Sequence, residues 1–333
     1  MTEKTFHGVD VNEILKIKGR TGYGVSLAIA KDGSIETFCS GSGRFGEVFP
    51  VNPDMIFQAG SVSKPMFALT LLCYVDKGII DIDADISGVL NDFVKKPLTF
   101  ERLLSHTAGY SVHGFLGYRA DAPQLSLEDV IAGRGNSPKV RRIKPYGKQY
   151  KYSGGGITLA ELAFTRITGL TLREAFQKEV AEPLGLIRTG YFQPLDEELL
   201  QNAAFGGRLR DRKNEDHLRG YHYYPEHAAA GLWSTPTELA KIGIALSKSL
   251  REDGLLKKET AERMVTPIMD NYGLCVRTFD GTFGHDGANE GFLTYWRFGQ
   301  TKDFCVVGMI NNLYGNSYKG LHEVCDALVD TVK

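Results

Sequence analysis

The sequence predicts an α+β fold of the α/β sandwich type, an antiparallel sheet flanked by helices. Three observations carry that expectation. Strand-like alternation clusters near both ends of the 333-residue chain, helical patterns fill the middle, and an amphipathic helix pattern closes the C-terminal end.

Residues 23–30 read as a strand, Lys31 to Ser34 as a turn and 35–40 as the return strand of a hairpin. An irregular stretch, 41–59, leads into a helix that starts at Ser61 and carries helical apolar content through Leu72. Short helical patterns cover 84–94 and 97–107, and a Gly-, Tyr-, His- and Pro-rich loop covers 108–125. Two helices follow, 156–168 and 171–182, split at Thr168 and Gly169. Thr235 and Pro236 start another over 236–250. Strands are then expected at 272–278, 282–286, 291–298 and 304–310, with turns at Asp280-Gly281 and over 300–303. The last helix, 317–332, puts Leu321, Val324, Cys325, Leu328 and Val329 on one face. Joining the two strand-rich ends in one sheet gives an α/β domain from 1–79 and 231–333, a mainly helical insert over 80–230, and a site at their junction. The charge-rich run 208–219 reads as a solvated loop.

Composition narrows the function. The chain is 42% hydrophobic and 24% charged, as ordinary globular proteins are. A formal net charge of -1 gives no electrostatic case for nucleic acid or an acidic membrane surface. No apolar run is long enough to span a bilayer. The first ten residues lack a signal-peptide core, so with Met1 as the native start a cytoplasmic location is expected. Cys39, Cys73, Cys275, Cys305 and Cys325 are dispersed, which reads as reduced, mostly buried thiols, and no Cys spacing fits a metal.

Three stretches carry chemistry. Ser61-Val62-Ser63-Lys64 places a hydroxyl and an amine three residues apart on one helix face, at a helix N-terminus that favours negative charge. A serine hydroxyl needs a neighbour to take its proton, and Lys64 is placed to do so. S-x-x-K is a known serine acyl-enzyme motif, although a polar cap with a solvated lysine is the plain alternative. Tyr150 to Gly156 puts two tyrosines and a lysine before a glycine run, which admits close backbone approach to a ligand. A glycine turn with surface tyrosines is the alternative there. His285-Asp286-Gly287-Ala288-Asn289 lies near a strand end, where His285 could donate to a substrate carboxylate or a catalytic hydroxyl, and the Ala288 N–H could form half of an oxyanion hole. A polar turn between strands is the alternative.

Together these stretches resemble the serine β-lactamase and penicillin-binding-protein superfamily, on the branch of class C β-lactamases, D-aminopeptidases and related esterases. The resemblance covers about residues 20–315. The family order Ser-x-x-Lys, Tyr-x-Asn, then Lys-Thr-Gly or His-x-Gly is met by Ser61 and Lys64, Tyr152, and His285 with Gly287. The stretches FQAGSVSKPMFAL, LLSHTAGY, YSGGGITLAELAFTRITG, AAAGLWSTPTELAKI and FGHDGANEGF also match.

The resemblance implies a β-lactamase/transpeptidase-like fold and a serine hydrolase that acylates Ser61. Lys64 and Tyr152 would share the proton work, with the principal base left open, and the oxyanion would lie between the N–H groups of Ser61 and Ala288. It further implies catalytic Ser61, Lys64, Tyr152 and His285, and substrate or oxyanion contacts from Ser61, Ala288, Gly287, Gly154, His113 and Tyr118. The expected partner is a small-molecule ester, amide or β-lactam, without a metal or organic cofactor. Oligomeric state stays open. Two departures tilt the expectation from β-lactamase towards esterase or small peptidase: Gly154 stands where many relatives have Asn, and His285 replaces the Lys of Lys-Thr-Gly. The alternative function is a binder or sensor that acylates without turning over.

Outside these motifs, His106 reads as capping or bracing a helix end, and Trp233 as core or pocket wall. His217, His222 and His227, five apart, do not fit a zinc-hydrolase spacing. Lys139, Arg141, Arg142 and Lys144 read as a solvated loop, with steering of an anionic substrate as the sharper alternative.

Overall fold

The computed structural model of the chain describes residues 5–11, 23–45, 47–210 and 216–333. One six-stranded antiparallel sheet contains β1 (Gly24–Lys31), β2 (Ser34–Gly41), β3 (Arg277–Phe279), β4 (Thr282–Asn289), β5 (Phe292–Gly299) and β6 (Phe304–Ile310), in the order β3-β4-β5-β6-β1-β2. The two chain ends meet where β6 pairs with β1, with Val306 opposite Ile29. Four longer helices frame the sheet and the site: α1 (Ser63–Asp76), α2 (Gly154–Thr168), α3 (Pro236–Ser249) and α4 (Ser317–Val332).

The sheet is covered on both faces, and the period-2 alternation of its strands shows which residue meets which helix. Leu27, Ile29, Leu293, Tyr295 and Val306 share a core with Leu321, Val324 and Leu328 of α4. Ala28, Ala30, Trp296, Cys305 and Val307 belong to the larger core that holds Leu239, Ile242 and Leu246 of α3. Small residues let α3 come close. A Cβ on Gly243 would fall 2.4 Å from the Cys305 Sγ, and the Trp296 indole donates to the Leu239 carbonyl at 3.1 Å.

Helix α1 is buried from Ser63 through Tyr74, so it is a central rather than a surface helix. Its Phe67 ring packs edge-on against Phe164 of α2, 5.9 Å between centroids. A lysine has no ordinary place in such a helix, yet Lys64 is only 2% exposed. Helix α2 is capped by Ser153, whose Oγ accepts from the Gly156 N–H at 2.8 Å, and it ends at the left-handed Gly169.

The elements depart from sequence expectation in instructive places. No helix forms over 84–94, because the Asp85 carboxylate captures the N–H groups of Ser87 and Leu98. The 97–107 pattern yields only Phe100–Leu104, capped by Thr99, and the chain turns left-handed at His106 (φ 58°). The 171–182 helix runs on to Leu184 through a π-helical turn, Gln177–Ala181. The strand expected at 272–278 shrinks to Arg277–Phe279: Cys275 has φ 59°, and its N–H bonds the Leu104 carbonyl instead of a sheet neighbour. The strand expected to stop at 286 continues to Asn289. The run 208–219 is not simply a loop, since Gly206–Arg210 pairs antiparallel with Asp216–Gly220; residues 211–215 lie outside the described residues, as do residues 1–4 of the N-terminal stretch. Among the described residues no helix is long and apolar enough to cross a membrane.

The close approach of α3 gives a test. Gly243→Val should overpack the contact with Cys305 and lower stability by about 1–3 kcal/mol, read as a fall in urea midpoint with little change in slope.

Candidate active site

The chain reaches the site through Phe57–Gln58, a short strand paired with Trp233–Ser234, and then a 3-10 turn, Gly60–Val62, that runs directly into α1. The turn leans on β4, and two glycines make that possible. Gly60 has φ 53°, and a Cβ there would lie 2.6 Å from the Ala288 nitrogen. A Cβ on Gly287 would lie 2.0 Å from the Ala59 carbonyl oxygen and 3.3 Å from the Ser61 nitrogen. The backbone amides of Ser61 and Ala288 are thereby brought side by side at one end of a cavity of about 550 Å³. That cavity is lined by Ser61, Lys64, Tyr152, His113, His285 and Ala288, among others.

Lys64 lies one turn into the helical run from Ser61, and its Nζ is 3.0 Å from the Ser61 Oγ. The same nitrogen donates to the Ala229 carbonyl at 2.6 Å, and it sits 5.1 Å from the centre of the Tyr152 ring. Burial pulls the Lys64 amine down to about 7, with Cys275 and the buried Glu226 opposing weakly. A substantial share of this amine is therefore neutral near neutral pH. As an ammonium it donates to the Ser61 Oγ; as a neutral amine it can keep its N–H to Ala229 and accept from the Ser61 hydroxyl.

The Tyr152 side chain interacts with that of Ser61, and burial drives its phenol well above the ordinary tyrosine value despite that interaction. It therefore remains a phenol at neutral pH. The backbone around it is braced from two sides. His106 accepts the Ser153 N–H at 3.2 Å through Nδ1, donates no charge because burial holds it well below the ordinary histidine value, and lies 4.3 Å ring to ring from Tyr152. His113, at the cavity mouth, lies 4.8 Å from the same ring.

His285 sits within β4, towards the C-terminal end of the strand and not in a turn, but both its ring nitrogens are committed inside the protein. Its Nδ1 is 2.6 Å from the Asp286 carbonyl oxygen, which can only accept, so Nδ1 carries the hydrogen. Its Nε2 accepts from the Tyr272 hydroxyl at 3.1 Å. Burial lowers the imidazole to about 3, so it carries no charge at neutral pH. In this geometry His285 donates to neither Ser61 nor a substrate carboxylate; it joins β4 to the Tyr272 segment.

Two other expected contacts are redirected. Gly154 starts α2, but its N–H donates to the His113 carbonyl at 3.0 Å and a Cβ there would meet the Phe115 ring at 2.9 Å. The loop 113–115 occupies the space that an Asn side chain would need, and Gly154 is not on the cavity wall. Tyr118 pairs with Tyr223 across a two-residue ladder, stacks on its ring at 5.4 Å and accepts the Asn136 N–H at 2.8 Å, away from the cavity. Trp233 is core, packed edge-on against Tyr221.

The structure adds residues that carry no motif. The Ala229 carbonyl holds Lys64 and belongs to a short helix, His227–Ala230, that is pinned by Glu161 of α2 through the Ala228 N–H at 2.9 Å. Glu226 is fully buried, and burial pushes its carboxyl up to about 8. Arg277 brings a guanidinium to the cavity, braced by Asn271 at 3.1 Å. The stretch around Ala229 matched by resemblance, but a carbonyl ligand leaves no side-chain signal.

A six-stranded antiparallel sheet with helices on both faces, and Ser-Lys-Tyr convergence at the N-terminus of a buried helix, define a β-lactamase/transpeptidase-like fold. The family model described as Beta-lactamase matches residues 16–329, and the chain belongs to that family. It is 26% identical over 310 residues to penicillin-binding protein 4 of Amycolatopsis lactamdurans, covering 82% of this chain and 77% of that one. It is 25% identical over 253 residues to the lovastatin esterase of Penicillium rubens, covering 65% of this chain and 60% of that enzyme. Among solved structures, the D-amino acid amidase of Ochrobactrum anthropi in complex with D-phenylalanine superposes with a TM-score of 0.78 at 19% identity, over 96% of this chain and 98% of that one. The octameric penicillin-binding protein homologue of Pyrococcus abyssi gives 0.75 at 22% identity, over 96% and 76%.

The buried His285–Tyr272 bond is testable alone. Tyr272→Phe removes the donor and leaves Nε2 buried without a partner, so stability should fall by about 1–3 kcal/mol in urea unfolding.

Proposed function

We propose that the protein is a serine hydrolase that forms an acyl-enzyme on Ser61 and hydrolyses an ester or amide of a small molecule. The observation that carries this reading is the 3.0 Å contact between the Ser61 Oγ and an Lys64 amine held near neutrality by burial. A nucleophile needs a base of matched pKa within hydrogen-bond reach, and this pair satisfies both conditions.

The steps follow from the positions. Ser61 Oγ attacks the substrate carbonyl carbon, its proton passes to the neutral Lys64 amine, and the carbonyl oxygen becomes an oxyanion facing the Ser61 and Ala288 N–H groups. Tyr152, a phenol in contact with Ser61, gives its proton to the leaving oxygen or nitrogen and regains one from the Lys64 ammonium. The carbon–leaving-group bond breaks and the acyl group stays on Ser61. A water then loses a proton to the Lys64 amine and attacks the acyl carbon, and Ser61 leaves with that proton. Lys64 is thus the principal base, and Tyr152 the relay.

The space beside Gly154 is filled by Phe115, which leaves no room for the amide side chain that many relatives carry there. That favours an ester or a D-amino-acid amide over a dedicated β-lactamase, in keeping with the named activities of the esterase and amidase relatives.

Incubation with a fluorophosphonate should add one adduct, mapped by mass spectrometry to Ser61. Ser61→Ala should abolish p-nitrophenyl ester hydrolysis; an unchanged rate would sink the proposal, and an adduct without turnover would select the sensor alternative. Lys64 is active when deprotonated, so kcat/KM should climb with pH through about 7 and level off above it. At pH 5 it should be about 100-fold below the plateau. Gly287→Ala should push the 3-10 turn off β4 and cut kcat by about 10- to 100-fold, with less effect on KM.

A further inference from the structure

We propose a second ligand site, for a multiply charged phosphate-bearing anion, in a basic groove separate from the Ser61 cavity. Lys95, Lys96, Lys139, Arg141, Arg142 and Lys144 converge there, in a concavity of about 720 Å³ also walled by Phe93, Tyr110 and Tyr146. Among the described residues no carboxylate lines it, and no residue that lines it also lines the Ser61 cavity. The chain as a whole has 39 Lys and Arg against 40 Asp and Glu, so this is a strong local departure from charge balance.

The groove is built rather than incidental. The 139–144 segment is stitched to residues 109–111: the Ser111 N–H donates to the Arg141 carbonyl at 2.8 Å, the Arg141 N–H to the Ser111 Oγ at 2.9 Å, and the Ile143 N–H to the Gly109 carbonyl at 2.8 Å. Gly109 has φ 76° and packs so closely on the Lys144 carbonyl that a Cβ would come within 2.4 Å. Arg142 then ties in the other wall by donating to the Pro97 carbonyl at 3.0 Å, which fixes the turn that carries Lys95 and Lys96. Its guanidinium lies 5.4 Å from the Tyr110 ring centre and 4.9 Å from that of Tyr146, and its Nε is buried with no hydrogen-bond partner. A guanidinium packed beside two aromatic rings and flanked by the exposed Lys95, Lys96, Lys139, Arg141 and Lys144 suits an oxyanion of high charge density. A singly charged carboxylate would satisfy only a fraction of these cations. The same chemistry is offered by a free phosphorylated small molecule and by a phosphomonoester lipid headgroup such as that of phosphatidic acid.

The test uses the full chain and sodium tripolyphosphate in isothermal titration, together with flotation on phosphatidylcholine vesicles with and without phosphatidic acid. Saturable binding of tripolyphosphate is expected in the wild type and equally in Ser61→Ala. It should weaken at least about tenfold in the double variants Lys95→Gln/Lys96→Gln and Lys139→Gln/Arg141→Gln, whose side chains are exposed and leave the fold intact. Binding without flotation identifies a free phosphorylated ligand. Flotation that requires phosphatidic acid and is reversed by tripolyphosphate identifies a headgroup. No saturable binding and no flotation, or binding that both double variants retain in full, overturns the proposal. Because Ser61→Ala is predicted to bind normally, failure here is separable from failure of the hydrolase reading.

Discussion

An amine taken out of water at the start of α1 is the constraint on which the rest of the structure depends. Lys64 sits in a helix with no solvent-facing side, and a charged ammonium there is costly. The protein meets that cost with one backbone carbonyl, one hydroxyl and the face of one aromatic ring, rather than with a paired carboxylate. A carboxylate in contact would hold the lysine protonated and remove it as a base. The buried acid nearby, Glu226, is itself pushed towards its neutral form by burial, so the surroundings leave the amine largely uncompensated.

The supporting architecture serves the two atoms that flank Ser61. On one side, α2 supplies both the Tyr152 segment at its start and Glu161 along its length, and Glu161 anchors the short helix whose Ala229 carbonyl holds Lys64. On the other, Gly60 and Gly287 strip away side-chain bulk so that the 3-10 turn can rest on β4. His285, one register position from Asp286 and two from Gly287, fastens β4 to Tyr272 and acts on the site through the strand.

Much of this was legible in the sequence because it is written in side chains with fixed spacing. Ser61 and Lys64, Tyr152, and the His285-Gly287 pair were found as motifs, and strands 304–310 and helix 317–332 follow directly from period-2 and period-3.6 patterning. The misses have physical causes. Asp85 overrides a helical pattern by bonding backbone amides, which periodicity does not register. Cys275 breaks a strand by adopting a positive φ that thiol-bearing residues seldom show. Gly154 lies in a matching stretch and Tyr118 in the loop that follows another, yet their orientation is set by Phe115 and by a strand ladder, both long-range contacts. The contact that the Ala229 carbonyl makes with Lys64 is a main-chain contact, and any residue at that position would make it.

The junction of β6 with β1 has a consequence for how the molecule is assembled. The Gly24 N–H is held by the Asn311 side-chain oxygen at 2.5 Å, across 287 positions of chain, and the same side chain reaches the carbonyls of Gly43 and Phe205. During synthesis the first hairpin and α1 emerge long before the strand that completes the sheet. Such late closure makes for slow folding and a prolonged interval with an unpaired sheet edge exposed. A nascent chain arrested before residue 282 would carry Ser61, Lys64 and Tyr152 and still lack β4, the strand on which the 3-10 turn rests.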